Sequence, residues 1–279
     1  MNVQWYPGHM TKARRQMQED IALIDLIIEL VDARAPMSSR NPDIDEMGKN
    51  RSRLILLNKA DLADPELNKA WEAYFQNKGY FTACLDARSS ADMKAVSAVL
   101  REASEAKRER DRKRGIRNRP VRAMVAGIPN AGKSTFINSF AGKAVAKTGN
   151  KPGVTRGKQW IKLSREAELL DTPGILWPKL DDQEAAVRLA YIGSIKDDIL
   201  NIEELSLGLI DFLREAYPGT ISGRYDIPEE GSSTEVLENI AFKRGCIKKG
   251  EEPDYARASQ MFLTDFRAGA LGRITLEKP

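Results

Sequence analysis

The sequence predicts an α/β domain, with helices on both faces of a mainly parallel sheet, followed by a small all-helical domain. Apolar runs of strand length at 25–30, 53–57 and 80–85 alternate with helical patterns, which is typical of strands that are buried on both faces. The later part of the chain shows only helical spacing of its apolar residues. We therefore predict domains at residues 1–180 and 181–279.

Other elements of the first domain have recognisable ends. Asp64 and Pro65 are typical of the start of a helix and Gly79 of its end, because Asp caps free amides, Pro fits the first turn and Gly tolerates a left-handed cap. A fourth strand at 121–127 leads into another helix, and residues 158–171 suggest a hairpin. This alternation of strands and helices supports the α/β prediction.

Two segments of the second domain each carry one apolar face at helical spacing. The first face comprises Leu205, Leu209, Phe212, Leu213 and Ala216. The second comprises Tyr255, Ala258, Phe262 and Phe266. The pattern predicts an amphipathic helix in each segment.

The composition is that of an ordinary globular protein, with 30% charged and 42% hydrophobic residues among 279. The longest apolar run, at 21–31, contains Asp25 and Glu29 and has about half the ~20 residues that a membrane span needs. Cys84 and Cys246 form no disulfide framework or metal motif. We therefore expect a cytoplasmic protein with no membrane partner.

The net charge of +4 hides an asymmetry along the chain. Residues 181–279 carry a net charge of −7, so residues 1–180 carry +11. The run at 101–119 has nine basic and four acidic residues, and the run at 142–158 has five basic residues and no acidic one. Such runs are usually solvated surface, but two of them on the same half also suit a polyanionic partner.

Residues 127–134, GIPNAGKS, match the phosphate-binding pattern G-x-x-x-x-G-K-[ST]. The loop stands between a predicted strand and a predicted helix, where backbone amides can surround phosphates. Lys133 is predicted to reach the β- and γ-phosphates, and Ser134 to hold Mg²⁺. The nucleotide contacts predicted in this loop are Asn130, Ala131, Gly132, Lys133, Ser134 and Thr135.

Two weaker motifs accompany the phosphate loop. In DTPG at 171–174, Asp171 is predicted to hold Mg²⁺ through a water and Gly174 to meet the γ-phosphate. Thr155, which lies between these motifs, is the candidate switch threonine that closes over Mg²⁺ when the γ-phosphate is present. Each match is common by itself, and only its position relative to the others gives it weight.

The tetrapeptide NKAD that begins at Asn58 predicts recognition of guanine. Guanine presents N1–H and an amino group on one edge, and the Asp61 carboxylate can accept from both, whereas adenine would leave it unpaired. Asn58 is predicted to bond the base and tie it to the phosphate loop, and the Lys59 stem to pack on the ring. Asp86 and Ala87, after the next strand, are predicted to support the guanine.

The base-reading loops precede the phosphate loop along the chain, which is not the usual order in GTP-binding domains. A sheet tolerates such a permutation if the old chain ends can be joined on the surface. Residues 101–119 are hydrophilic and follow a charged helix that begins near Ser90. We interpret them as this joint, and the motifs as parts of one permuted nucleotide site.

This order of motifs, together with WYPGHM at 5–10 and DAR at 32–34, resembles the circularly permuted ribosome biogenesis GTPase A (YlqF-type) family. The match covers residues 1–180 by motif and the helical remainder by class and length. The resemblance implies a circularly permuted P-loop GTPase that binds GTP, GDP and Mg²⁺ and joins the maturing large (50S) ribosomal subunit and its rRNA late in assembly. It also implies slow hydrolysis that the ribosomal particle stimulates. We expect a monomer off the ribosome.

The catalytic group stays open between two candidates. Ile175 follows DTPG where Ras-like proteins place a water-orienting glutamine, so another group must place the water. His9 is the single histidine and can titrate near neutral pH; the resemblance gives it a catalytic role, and a lone histidine in a turn is otherwise more often structural. Asn130 is the second candidate, because in related GTPases that lack the glutamine an asparagine there helps to hold K⁺ against the phosphates.

Three other functions also stay open. Hydrolysis can serve only as the timer of a nucleotide-gated binding module, or the GTPase switch can act on tRNA or a protein partner rather than on the ribosome. An ATP-using P-loop enzyme is disfavoured by Asp61. RNA contact is best sought at 101–119, 142–158 and 242–250, because these segments are basic whereas most of the helical domain is acidic.

Overall fold

The structure is a computed structural model that describes residues 18–116, 119–144, 159–162, 167–171 and 182–279. The described residues form two compact units. The first contains those up to residue 171 together with Glu277–Pro279, and the second is Asp182–Leu276.

The first unit contains the predicted strands and helices. Its elements are β1 (Leu26–Asp32), α1 (Pro42–Met47), β2 (Ser52–Asn58), a 3₁₀ turn (Ala60–Leu62), α2 (Pro65–Asn77), β3 (Phe81–Leu85), α3 (Ser90–Ala103), α4 (Glu105–Lys113), β4 (Val121–Ala126), α5 (Lys133–Ala141), β5 (Gln159–Lys162) and β6 (Ala167–Asp171). The predicted α/β class is confirmed.

The six strands form one sheet in the order β3-β2-β1-β4-β6-β5. All neighbouring strands are parallel except β5 and β6, which pair antiparallel as the predicted hairpin. The chain builds outward from β1 to β3 on one side, and on the other side it runs from β4 to the edge strand β5 and returns to β6 between them. Ligands in open α/β sheets bind at such a switch point, outside the carboxyl ends of the strands.

The core covers the sheet on both faces, because every residue of β1 is buried and successive side chains of a strand point to opposite faces. On one face, Ile27 belongs to a cluster with Ile44 of α1. Val31 belongs to a neighbouring cluster with Trp71 and Phe75 of α2. The continuous apolar runs of the sequence therefore correspond to strands that are buried on both faces.

The ends of α2 follow from side-chain capping. The Asp64 carboxylate accepts from the amides of Glu66 at 2.8 Å and Leu67 at 3.3 Å, and Pro65 opens the helix. The helix stops at Asn77, and Gly79 has a left-handed φ of 83°. Both predicted ends are confirmed.

The joint at 101–119 is largely helical in the residues that the structure describes. It contains the end of α3 and the whole of α4, with a break at Ser104. The buried residue of α4 is Asp111, so no apolar side chain anchors this helix.

The second unit is all-helical. Its elements are α6 (Gln183–Tyr191), a 3₁₀ turn (Asp197–Ile199), α7 (Ile202–Ala216), α8 (Thr220–Tyr225), α9 (Ser233–Lys243) and α10 (Tyr255–Arg267). In the part of the chain that the structure describes, every helix is too short or too polar to span a bilayer.

The predicted apolar face of α7 is wrong at one position. Leu205, Leu209 and Leu213 are buried as predicted, but Ala216 is exposed and Ile210 is buried instead. The reason is that Ala216 is the last residue of the helix and follows Leu213, the last residue that the helix buries. The face of α10 is confirmed, with Ala258, Phe262 and Phe266 buried and Tyr255 half-buried.

The last residues of the chain belong to the first unit. The Glu277 carboxylate accepts from the amide of Ser38 at 2.9 Å and from the Ser38 hydroxyl at 2.5 Å. The backbone carbonyl of Glu277 accepts from Trp71 Nε1 at 3.2 Å. These contacts tie the segment Glu277–Pro279 to the loop after β1.

Candidate guanine nucleotide site

The loops that follow β1, β2, β3 and β4 meet at the carboxyl ends of these strands. Gly127, directly after β4, lies so close to β1 that a Cβ there would stand 2.5 Å from the carbonyl oxygen of Leu30. Only glycine fits this approach without a backbone shift. The first residue of the phosphate loop therefore lies against β1, the strand that ends at Asp32.

Asn58 joins three of these loops with one side chain. Its Nδ2 donates to the carbonyl of Ala131 at 2.7 Å, and its Oδ1 accepts from the amide of Ala87 at 2.9 Å. The residue is only 2% exposed. A buried amide with both of its polar ends bonded fixes the mutual position of the loops that it joins.

Gly132 packs on the same amide. Its φ is 95°, and a Cβ would stand 2.4 Å from Asn58 Nδ2. Gly132 also precedes α5, whose first turn contains Lys133, Ser134 and Thr135. A helix N-terminus that follows such a turn offers free amides and a favourable dipole to a phosphate.

Lys133 and Lys59 both donate to backbone carbonyls of the phosphate loop. Lys133 Nζ donates to the carbonyl of Gly127 at 3.0 Å. Lys59 Nζ donates to the carbonyl of Asn130 at 2.8 Å. Lys59 and Asn130 both have a left-handed backbone, with φ of 60° and 62°. Both residues that form this contact therefore have a strained backbone conformation, as is common at binding sites.

Asp32, the last residue of β1, is the acidic partner of Lys59. Its Oδ2 lies 2.9 Å from Lys59 Nζ and 2.8 Å from Arg34 Nη2, and its Oδ1 accepts from Arg34 Nε at 2.9 Å. Burial opposes ionisation, but the charges of Arg34 and Lys59 outweigh it and hold the pKa of Asp32 well below its ordinary value. Asp32 therefore stays ionised and keeps Lys59 beside the phosphate loop.

The sequence analysis did not identify Asp32 and Arg34 as site residues. The available signal was the tripeptide DAR at 32–34, at the end of the first strand. Its position at a strand's carboxyl end could have identified it. Its pairing with Lys59 depends on how two loops meet, which no local pattern reveals.

Asp61 lies in the 3₁₀ turn after β2, and its two oxygens differ. Oδ2 accepts from Arg88 Nη2 at 2.7 Å, whereas Oδ1 is buried and has no hydrogen-bond partner among the described residues. Arg88 also donates from Nε to Asp86 Oδ1 at 2.9 Å, and this contact lowers the pKa of Asp86 below its ordinary value. An unpaired buried carboxylate oxygen is costly and fits a ligand that brings N–H donors.

Several predicted residues lie outside the described part of the chain. These are His9, Thr155 and Gly174. Asp171 ends β6, which pairs with β4, the strand that leads into the phosphate loop. Among the described residues, no group of three or more His, Cys, Asp or Glu could hold a metal ion.

The donor and acceptor set fits a guanine nucleotide. The orphaned Asp61 Oδ1 suits the N–H edge of guanine, and the N-terminus of α5, directly after the glycine turn, suits a phosphate. The two parts are joined directly by Asn58 and Lys59. The NKAD motif and the phosphate loop, which are distant in sequence, thus lie in one place.

Comparisons with known proteins identify relatives along the whole chain. A family model described as 50S ribosome-binding GTPase matches residues 122–218. Ribosome biogenesis GTPase A of Bacillus cereus is 48% identical, with 100% of this chain and 95% of that protein covered. The protein of the same name from Thermotoga maritima is 32% identical, with 99% and 94% covered.

Solved structures give the same result. The GDP-bound structure of TM YlqF matches with a TM-score of 0.73 at 28% identity, covering 95% of this chain and 99% of that one. The GNP-bound structure of YlqF from T. maritima matches with a TM-score of 0.69 at 29% identity, covering 96% and 98%.

Proposed function

Because this chain belongs to the ribosome biogenesis GTPase A family, we propose that it joins the large (50S) ribosomal subunit late in assembly and that its nucleotide state controls binding and release. The protein is a GTP-hydrolysing ribosome assembly factor with a circularly permuted GTPase domain. We propose domains at 1–180 for the GTPase and 181–279 for the helical part, of which Glu277–Pro279 pack with the first. It works in the cytoplasm and is a monomer off the ribosome.

The observation that carries this proposal is the double hydrogen bond of Asn58. Its contacts with Ala131 and Ala87 couple the base-reading loops to the phosphate loop, although the two parts are 73 positions apart in sequence. A nucleotide that fills both parts is therefore sensed by one connected structure. Such coupling is what a nucleotide-controlled switch needs.

Guanine recognition is assigned to Asp61, with Asn58, Lys59, Asp86 and Ala87 as the surrounding residues. The Asp61 carboxylate accepts from N1–H and the amino group of the base. An adenine nucleotide offers no donors at this edge, which leaves the buried Oδ1 of Asp61 without a partner. Sites of this kind discriminate by a factor on the order of 10⁴ in affinity.

Phosphate binding is assigned to the loop from Asn130 to Thr135, with Lys133 at the β- and γ-phosphates. When bound, Mg²⁺ would supply positive charge against the negative charge that develops on the phosphates. Ser134 would hold this ion directly, with Thr155 as a second ligand and Asp171 acting through a water. Gly174 would contribute its amide to the γ-phosphate.

Two groups are candidates for the catalytic step, and one experiment on each decides between them. Replacing His9 with Ala is expected to leave GTP affinity nearly unchanged and to lower the turnover that the ribosomal particle stimulates. Equal turnover in the variant and the parent removes His9. For Asn130, turnover in K⁺ and Na⁺ buffers is expected to differ, and equal rates remove the K⁺ mechanism.

Contact with rRNA is assigned to the basic segments at 101–119, 142–158 and 242–250. The first half of the chain carries +11 and the second −7, so the phosphate backbone is attracted mainly to the GTPase domain. Within 242–250, Lys243 pairs with Asp226, and the Arg244 guanidinium lies over the Tyr225 ring.

The test is co-sedimentation of the protein with purified large subunits. We expect the protein to pellet with the subunits in a non-hydrolysable GTP analogue and to stay in the supernatant with GDP. Equal pelleting with both nucleotides would refute nucleotide control. Pelleting with neither, combined with nucleotide-dependent capture of tRNA, would favour the tRNA alternative.

A further inference from the structure

We infer that a basic pocket at the amino ends of the strands receives backbone phosphates of ribosomal RNA. The inference rests on the proposed function, because it names the part of the large subunit that one surface of this chain would contact. We call this cavity of about 220 Å³ the linker pocket, since residues of the joint form most of it. Its lining includes Arg51, Lys107, Arg110, Asp111, Arg114 and Arg119.

The acidic groups of the linker pocket are already paired. Lys107 Nζ bonds the Asp111 carboxylate and lies 3.8 Å from Asp25 Oδ1. Asp25 Oδ2 also accepts from the amide of Arg122 at 3.1 Å. Both carboxylates thus have a partner, and because the lining contains five basic and two acidic side chains, the pocket carries a net positive charge.

The arginines around the pocket form no ion pair with a carboxylate within 4 Å among the described residues. Arg51 and Arg110 donate to the carbonyls of Ala22 at 3.3 Å and Ala106 at 3.2 Å. Arg114 and Arg119 lie near enough to Asp111 to lower its pKa, after the larger effect of Lys107. Four guanidinium groups therefore surround one open cavity.

Packing against the core does not explain the many basic residues of helix α4. Its buried residue is Asp111, and no apolar residue holds it to the core. Lys107, Arg110 and Arg114 are three and four positions apart, so they share the helix face that lines the cavity. Like charges at this spacing repel each other, and an anion seated between them relieves the repulsion.

The pocket lies at the opposite end of the sheet from the nucleotide. Asp25 directly precedes β1 and Arg51 directly precedes β2, whereas Asp32 and Asn58 end the same strands. Seven residues of strand span about 20 Å. An RNA backbone can therefore occupy the linker pocket without blocking the nucleotide.

The chemistry of this surface favours RNA over a protein partner. Protein interfaces have an apolar or aromatic centre, but the linker pocket has a mainly polar and cationic lining. Interfaces with nucleic acid are polar and strongly positive, and most of their contacts go to phosphate oxygens. A cavity of this size admits a phosphodiester with its water, since one water in the liquid takes about 30 Å³.

The test compares two double charge reversals on the same helix. Arg110→Glu with Arg114→Glu changes the pocket face. Arg112→Glu with Lys113→Glu makes the same change in net charge at exposed positions outside the pocket lining. Binding is measured with a fluorescein-labelled 20-base-pair RNA duplex at several salt concentrations and with purified large subunits in a GTP analogue.

We expect the pocket variant to bind the duplex at least tenfold more weakly, with the slope of log affinity against log salt smaller by about two. The control variant is expected to stay within threefold of the parent. Both should keep parental GDP affinity, which also shows that they are folded. If charge reversal prevents folding, the neutral pair Arg110→Gln with Arg114→Gln replaces it in the same assay.

Three results would overturn the inference. Equal losses in both variants would show that only overall charge matters, and an unchanged pocket variant would show that the pocket is not used. Loss of subunit binding with parental duplex binding would indicate a ribosomal protein as the partner. Failure of the parent chain to bind subunits is a separate outcome, which refutes the proposed function itself.

Discussion

Asp32 illustrates how one buried carboxylate organises the nucleotide site at the scale of single residues. Arg34 and Lys59 both contact it, and Lys59 at the same time reaches the carbonyl of Asn130. The Asp32 side chain is 1% exposed. Removing one partner of such a buried group leaves the other charge without compensation, which is costlier than removing both.

Replacing Asp32 with Ala is therefore expected to lower the free energy of unfolding by about 3–5 kcal/mol. Adding Arg34→Met to this variant should recover part of the loss, because the buried guanidinium is then also gone. Denaturant unfolding at pH 7 measures both. A double variant that is less stable than Asp32→Ala would contradict this account of the pair.

The effect of Asp32 on stability is also expected to depend on pH. Its pKa in the folded state lies below the ordinary value of 3.8, so its stabilising contribution is complete above that value and is lost as the pH falls toward the folded pKa. The stability difference between the parent and Asp32→Asn should stay constant from pH 5 to 8. Below 3.8 it should shrink by about 1.4 kcal/mol per pH unit, and a difference that does not shrink would contradict the ion pair.

We expect Arg88 to compete with guanine for Asp61, because its guanidinium donates to the carboxylate that we propose reads the base. The Arg88 and Asp61 side chains are 68% and 32% exposed, and such a pair is worth about 0.2–1 kcal/mol. Arg88→Ala is therefore expected to tighten GDP binding by up to about fivefold. Arg112→Ala, which removes an exposed pair with Glu105, is the control. Weaker GDP binding by Arg88→Ala would show that Arg88 supports the base.

At the scale of elements, the phosphate loop keeps its shape because glycine permits close contact with β2. A Cβ on Gly132 would stand 2.4 Å from Asn58 Nδ2, whereas a Cβ on Gly142 would have nothing within 4 Å. Both glycines have a positive φ, 95° and 65°. A side chain at either position therefore has a backbone cost, and at Gly132 it would also collide with Asn58.

Gly132→Ala is expected to weaken GDP binding at least tenfold, because the new methyl group displaces Asn58 from Ala131 and Ala87. Gly142→Ala should cost about 1–2 kcal/mol of stability for its left-handed backbone and leave GDP affinity within twofold of the parent. Titration calorimetry measures both affinities. Equal affinities for the two variants would show that the Asn58 contact is not needed for binding.

Elements whose ends depend on residues close by in sequence were predicted correctly. The end of β2 at Asn58, the caps of α2 and the β5–β6 hairpin follow from apolar runs and capping residues. The link between Lys59 and Asp32 was not predicted, since it depends on the spatial neighbourhood of β1 and β2. Ala216 was assigned to the apolar face but is exposed. Helical spacing gives the direction of a side chain around the helix axis, but it does not show where along the helix the packing against the core ends.

At the scale of the whole molecule, the order of the motifs determines how the nucleotide site is connected to the rest of the chain. The chain supplies the base-reading loops first and the phosphate loop later, and it passes from β6 into the helical unit after DTPG. The last residues, Glu277–Pro279, belong to the first unit again. In sequence, the helical unit therefore follows closely after DTPG, the motif that we propose meets the γ-phosphate.

This connection predicts that the nucleotide state changes the dynamics of the helical unit. Hydrogen exchange of residues 182–276 is expected to differ between the protein bound to a GTP analogue and the protein bound to GDP, because loss of the γ-phosphate contact releases the start of this segment. Identical exchange in both states would contradict the coupling of the two units.

The most direct test of the account is the base preference of the protein and of Asp61→Asn, measured by calorimetry with GDP, ADP and XDP. The parent should bind GDP at least a thousandfold more tightly than ADP. Asp61→Asn should prefer XDP, because xanthine carries a carbonyl where guanine carries the amino group, and an amide can donate to it. ADP binding as tight as GDP binding, or an unchanged preference in Asp61→Asn, would contradict a guanine site built around Asp61.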